Sequence, residues 1–214
     1  MCKKASIILA GGYSSRMNFP KAFLLYDDQN TFIETILNTY LQEGIKPIVV
    51  MNSMFLNENW ANYIKKINKK AEIIKNSFPD KGMLFSVFLG LSCLDKYENV
   101  FIHPVDQPEI NSRIIQSLSQ SHQENGVTIP TFKSKKGHPV LIGKTVVEEI
   151  KTNYEKYQSL KDGLKKFQTK LVEITDVDVT QNINTPEEYE CWKKQKDKKA
   201  NYPTEEIRNE LIYI

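Results

Sequence analysis

Cysteine and histidine are scarce, with three of each in 214 residues. Cys2, Cys93 and Cys191 are odd in number and far apart, which excludes a disulfide framework and paired zinc thiolates and fits a reducing, cytoplasmic setting. His103, His122 and His138 have no cysteine at zinc-ligand spacing. Long apolar runs are missing too. None reaches the roughly 18 residues of a membrane span, and Ser6 to Ala10, although preceded by Lys3 and Lys4, is too short for a signal-peptide core and passes straight into Gly11, Gly12 and Arg16. Nine glycines and nine prolines are too few for a collagen-like or low-complexity chain. No charge sign dominates: 29 Lys and Arg against 26 Asp and Glu leave +3, too little to imply a nucleic-acid partner.

What remains is 40% hydrophobic and 26% charged, the composition of a globular protein with a sizeable core. The length predicts one domain over residues 1–192 and a charged, helical C-terminal extension over 193–214, with an amphipathic segment from Glu205 to Tyr213. Short apolar runs alternate with helix-periodic stretches, the pattern of an α/β protein with a doubly wound, mostly parallel sheet. Strands are predicted near Ala5–Leu9, Ile48–Met51, Glu72–Ile74, Val100–Ile102, Val127–Ile129 and Val140–Ile142, and a hairpin-like piece at Phe23–Tyr26. Thr31 and Glu34 form a capping-box pattern for a helix running to Gly44. After Ile129 the alternation loosens, which predicts a subdomain inserted over one sheet edge, with two further helices.

Ligands in open parallel sheets sit beyond the carboxyl ends of the strands, so the loop after the first strand is the first candidate site. It reads Leu9-Ala10-Gly11-Gly12-Tyr13-Ser14-Ser15-Arg16-Met17-Asn18-Phe19-Pro20-Lys21. Two glycines present backbone N–H groups, the serines add hydroxyls, and Arg16 and Lys21 supply charge for phosphate oxygens. Neither the dinucleotide fingerprint nor the P-loop pattern is present, and no G-x-S-x-G elbow supports a serine hydrolase. An ordinary strand-to-loop turn with two surface cations is the plainer alternative. Asp106, in Pro104-Val105-Asp106-Gln107-Pro108, stands at the end of the fourth strand and faces the same crevice. It is either a turn residue or the one carboxylate that Mg²⁺ needs when a nucleotide supplies the other oxygens.

L-x-G-G-x-S-x-R-M followed by P-K resembles the signature of the MobA-like nucleotidyltransferases, which attach a nucleotide to the pterin of the molybdenum cofactor in guanylyl- and cytidylyl-transferring branches. The resemblance runs from about Lys4 to Trp192. It implies a Rossmann-like, glycosyltransferase-A-like fold and a magnesium-dependent transfer of a nucleoside monophosphate from CTP or GTP to a phosphorylated small acceptor, with pyrophosphate released. It further implies that Arg16 and Lys21 contact the triphosphate and Asp106 holds Mg²⁺. Gly82, Ser86 and Gly90 match a helix beside the nucleoside. Asn52 and Asn76, read from their places just after predicted strands, are either donors and acceptors for a base edge or ordinary turn residues. Gly137 and His138 match an acceptor-pocket segment, and Asn184, with Asn182 beside it, matches a second metal-site position. Where the family has Gly after Arg-Met this chain has Asn18, a residue that tolerates a left-handed backbone. Branch features conflict: the first loop and Asn182-x-Asn184 look guanylyl-like, Asp106-Gln107-Pro108 and Gly137-His138-Pro139 cytidylyl-like. Other cytidylyltransferases, sugar-phosphate nucleotidyltransferases and a regulatory module that binds nucleotide without turnover remain alternatives, and self-association is left open.

Overall fold

The structure, a computed structural model, describes residues 3–95, 97 and 99–201. Cys2 and the expected segment Glu205–Tyr213 lie outside the described residues. Strand β1 (Lys4–Ala10) shows how the sheet is built. Ile8 and Ala10 enter one core while Ala5, Ile7 and Leu9 enter the other, the period-2 alternation of a strand buried on both faces. The chain continues through α1 (Phe32–Gln42), β2 (Lys46–Asn52), α2 (Ala61–Asn68), β3 (Glu72–Asn76), α3 (Gly82–Ser92), β4 (Asn99–Pro104) and α4 (Ser112–Gln120). These four strands are parallel, in the order β3-β2-β1-β4.

The local signals are realised as side-chain contacts. Thr31 Oγ1 accepts from Glu34 N–H at 3.4 Å and Glu34 Oε2 from Thr31 N–H at 3.0 Å, so the capping box starts α1 as expected. The expected hairpin-like piece is present: after a 3-10 turn, Lys21–Phe23, Leu25 bridges antiparallel to Thr31, with Tyr26 N–H donating to the Asn30 carbonyl and Phe32 N–H to that of Leu24, each at 2.8 Å. Phe23 turns inward at its start and stacks on Tyr63 of α2 at 4.5 Å, an aromatic contact that holds the piece against the core. On the other face Gly90 lets α3 settle onto β1, since a Cβ there would lie 2.7 Å from Ile7 Cγ2.

The second half corrects the expectation of an inserted subdomain. Strands β5 (Gly126–Phe132), β6 (Lys135–Lys136), β7 (Val140–Gly143) and β8 (Gln168–Glu173) join the same eight-stranded sheet. β7 lies antiparallel between β4 and β5, and β8 pairs parallel with β5. β8 carries no strand pattern in the sequence because nearly every residue in it is exposed: an edge strand guarded by charge has no apolar face to show one. Helices α5 (Lys144–Asn153) and α6 (Leu160–Leu164) cover the α3 face, and α7 (Pro186–Asn201) covers the α1 face through buried Trp192. α7 runs unbroken through residue 193.

Candidate active site

The strand order reverses between β1 and β4, and a cleft of about 240 Å³ opens beyond their carboxyl ends, where doubly wound sheets bind ligands. Of the residues singled out in the sequence, Leu9, Ala10, Gly11, Gly12, Ser14, Lys21, Gly82, Ser86 and Asp106 line it. Gly11 is required by close approach: a Cβ there would lie 2.8 Å from Ser86 Oγ and 3.2 Å from Asn76 Nδ2. Gly12 has open space instead, so its backbone is free to face a ligand. Ser14 and Asn18 both have φ +54. The left-handed conformation expected for Asn18 is therefore present, and Met17, buried below, ties the loop to the core. Ser15 and Arg16 are exposed on the outer turn and do not line the cleft.

Three polar groups converge at the cleft floor. Lys21 Nζ donates to Asn184 Oδ1 at 2.6 Å and lies 3.5 Å from Asp106 Oδ2, with side-chain exposures of 15% for Lys21 and 24% for Asp106. Lys21 N–H donates to Ser14 Oγ at 3.2 Å, so the lysine backbone is also fixed by the Gly-rich loop. Asn184 approaches from the start of α7, 163 residues along the chain. Two side-chain acceptors and one cation thus meet beside the Gly-rich loop, a combination of donors and charge that chemically suits an anionic ligand.

The sequence pattern of the MobA-like NTP transferase domain matches residues 6–174. The chain belongs to this family. It is accordingly a nucleotidyltransferase. A probable molybdenum cofactor guanylyltransferase from Clostridium perfringens is 29% identical over 209 residues, covering 92% of this chain and all of the relative. Among solved structures, Rv0371c from Mycobacterium tuberculosis in complex with manganese superposes with a TM-score of 0.66 at 16% identity, covering 88% of this chain and 96% of the other. The 4-diphosphocytidyl-2C-methyl-D-erythritol synthase of Anaerococcus prevotii gives 0.67 at 16% identity, covering 87% and 92%. Among the described residues, no helix is long and apolar enough to cross a membrane.

In this MobA-like domain the remaining predicted residues stand around the cleft rather than in its wall. Asn52 and Asn76 are register partners at the ends of β2 and β3, both buried. Each Oδ1 accepts the N–H two residues on, from Met54 and Phe78, at 3.0 and 2.8 Å, so both shape the loops that follow. Asn76 also donates to Ser86 Oγ at 3.1 Å. Gly137 is packed tightly, since a Cβ would lie 2.1 Å from Val179 O. His138 N–H donates to that carbonyl at 3.0 Å. Burial pushes the His138 imidazole below its ordinary range, opposed by a bond to the Ile102 backbone and the charge of Asp106.

Phe55 and Pro79, which carried no functional signal in the sequence, line the cleft from the turns after β2 and β3, and Met83, next to Gly82 in the helix pattern, lines it from α3. Tyr13 OH donates to Asp80 Oδ2 at 2.8 Å, joining the Gly-rich loop to the turn before α3 across 67 residues. His103 is fully buried in β4. Burial lowers its pKa to about 3, so the ring is neutral. A pH effect follows, because between pH 6.5 and about 3 the unfolded chain binds a proton that the folded ring refuses. Stability should therefore fall with falling pH through that window, by on the order of a few kcal/mol from this group, and be free of its influence above it. Denaturant titrations across pH should give a shallower acid limb for His103→Gln than for the parent; identical limbs would refute the assignment.

Proposed function

We propose that this protein transfers GMP from GTP to the phosphate of the molybdenum cofactor. An acceptor phosphate oxygen attacks the α-phosphorus, the bond to the bridging oxygen breaks, and pyrophosphate leaves with the electron pair. The observation that carries this reading is the convergence of Lys21 Nζ, Asp106 and Asn184 Oδ1 beside the Gly11-Gly12 loop. The nature of the acceptor follows the full-length relative named for that reaction.

The donor set fits a hard divalent cation. Asp106 and Asn184 oxygens already converge on one positive centre, the Lys21 ammonium. Among the described residues no group of three or more His, Cys, Asp and Glu forms a cage, which suits Mg²⁺, since it takes one or two protein oxygens and fills the rest with phosphate and water. When bound, the metal neutralises charge on the phosphate oxygens of donor and leaving group. The chain's own residues do the positioning. The 11–14 backbone cradles the phosphates, Lys21 offsets the charge that grows on them, and Phe55, Met83 and Ser86 flank the nucleoside. Gly137 and His138 lie on the acceptor side.

The test is pyrophosphate release from each of the four triphosphates with Mg²⁺ and molybdenum cofactor, beside methylerythritol phosphate, phosphocholine and sugar phosphates as acceptors. GTP with molybdenum cofactor should be the productive pair, and a chelator should abolish release. Release with CTP alone would assign the cytidylyl branch, and nucleotide binding without release from any pair would make the protein a regulatory module.

A further inference from the structure

Two loops from opposite halves of the chain are zipped together beside the Lys21 cluster. The Asp106 carbonyl accepts from Ile183 N–H at 2.8 Å, and Gln107 Nε2 donates to Asn182 Oδ1 at 2.6 Å. Gln107 is only 5% exposed and its backbone is gripped from beneath. Its carbonyl accepts from His103 Nε2 at 2.8 Å, and Tyr40 OH lies 3.2 Å from His103 Nδ1. Because burial keeps His103 neutral, the ring has one N–H. The Gln107 carbonyl can only accept, so that proton is on Nε2 and the Tyr40 hydroxyl donates to Nδ1. A buried, directional chain of hydrogen bonds therefore runs from α1 through β4 to Gln107 and on to Asn182, two residues before Asn184.

Gln107 is not the side chain that stability alone would favour. Its Oε1 is buried with no partner among the described residues, a cost that an apolar side chain of similar length would avoid. The amide bond it does make goes to the 182–184 segment.

We propose that Gln107 is a positioning residue: it holds the Asn182–Asn184 segment against Asp106, and so sets metal affinity and turnover without contributing to nucleotide affinity. This rests on Asp106 and Asn184 being the metal-side oxygens of the transferase site proposed above. Groups that orient metal ligands from behind characteristically change metal affinity or activity 10- to 100-fold when removed, whereas the Gly11-Gly12 loop that meets the phosphates is held by other contacts.

The experiment compares the parent with Gln107→Met, Asn182→Ala and the double variant. Asn182 is exposed, so its truncation leaves the fold intact and carries the test if Gln107→Met does not fold. GTP affinity is measured by calorimetry without metal, Mn²⁺ affinity from free-ion spin resonance with GTP present and no acceptor, and unfolding by melting. Each single variant should weaken Mn²⁺ binding about 10-fold or more, with metal-free GTP affinity within about twofold and the melting temperature of Gln107→Met unchanged or raised. The double variant should be no worse than the weaker single, because both remove one contact. Unchanged Mn²⁺ affinity, additive losses, or a parallel loss of metal-free GTP affinity would overturn the proposal. A parent that binds neither GTP nor Mn²⁺ would instead overturn the reading of the site on which it rests.

Discussion

Asp106→Asn is expected to lower turnover by roughly 10²- to 10³-fold, the range seen when one preorganised charge-stabilising group is removed from a transition state. The amide keeps the shape of the side chain and still offers an oxygen toward Lys21, and the backbone carbonyl of Asp106 keeps its bond from Ile183 N–H. Folding should therefore change little. The Lys21–Asp106 pair is partly solvated, and such pairs contribute about 1 kcal/mol or less. What is lost is the anionic oxygen that a hard cation requires. Asn184→Ala should cost less, about 10-fold, because water can replace a neutral oxygen ligand. Rates at saturating GTP across a Mg²⁺ series decide the matter: a larger loss in Asn184→Ala than in Asp106→Asn would move the metal side of the site to Asn184, and full activity in both would leave Asp106 a turn residue.

Lys21→Ala is expected to be comparably damaging, about 10²-fold or more in kcat/KM, while the melting transition shifts by no more than a few degrees. Truncation removes Nζ from between Asp106 and Asn184 but spares the backbone bond to Ser14 Oγ, which holds the loop. Ala22 and Phe23 stay buried beside it. Lys21→Arg should not restore the rate, because a planar guanidinium is larger than the ammonium that sits between those two oxygens. A variant as active as the parent, or one that no longer melts cooperatively, would remove Lys21 from the chemistry.

Features carried by contiguous residues were legible before folding. Thr31 and Glu34 announced a helix start, and the glycines after β1 marked the loop that lines the cleft. Asn18 stood where a left-handed residue was needed and has φ +54. Asp106 followed a fully buried strand, so its place at the carboxyl end of the sheet followed from strand length alone. Residues 126–173 were harder. β6 has two residues and β8 is exposed along nearly its whole length, so neither has the periodicity that burial imprints on a strand.

The sequence by itself determined the α/β alternation, the Gly-rich loop, the acid at the end of β4 and the cap residues, because each depends on neighbours within a few positions. Tertiary structure alone decided that Lys21 meets Asn184 across 163 residues, that Gln107 grips Asn182 across 75, and that Tyr13 reaches Asp80 across 67. It also decided that Gly137 must be a glycine, since the atom it would strike is the carbonyl of Val179. Such pairings have no period and no local propensity. They exist only because parallel strands deliver their carboxyl ends to one edge of the sheet, where loops distant in the chain become neighbours.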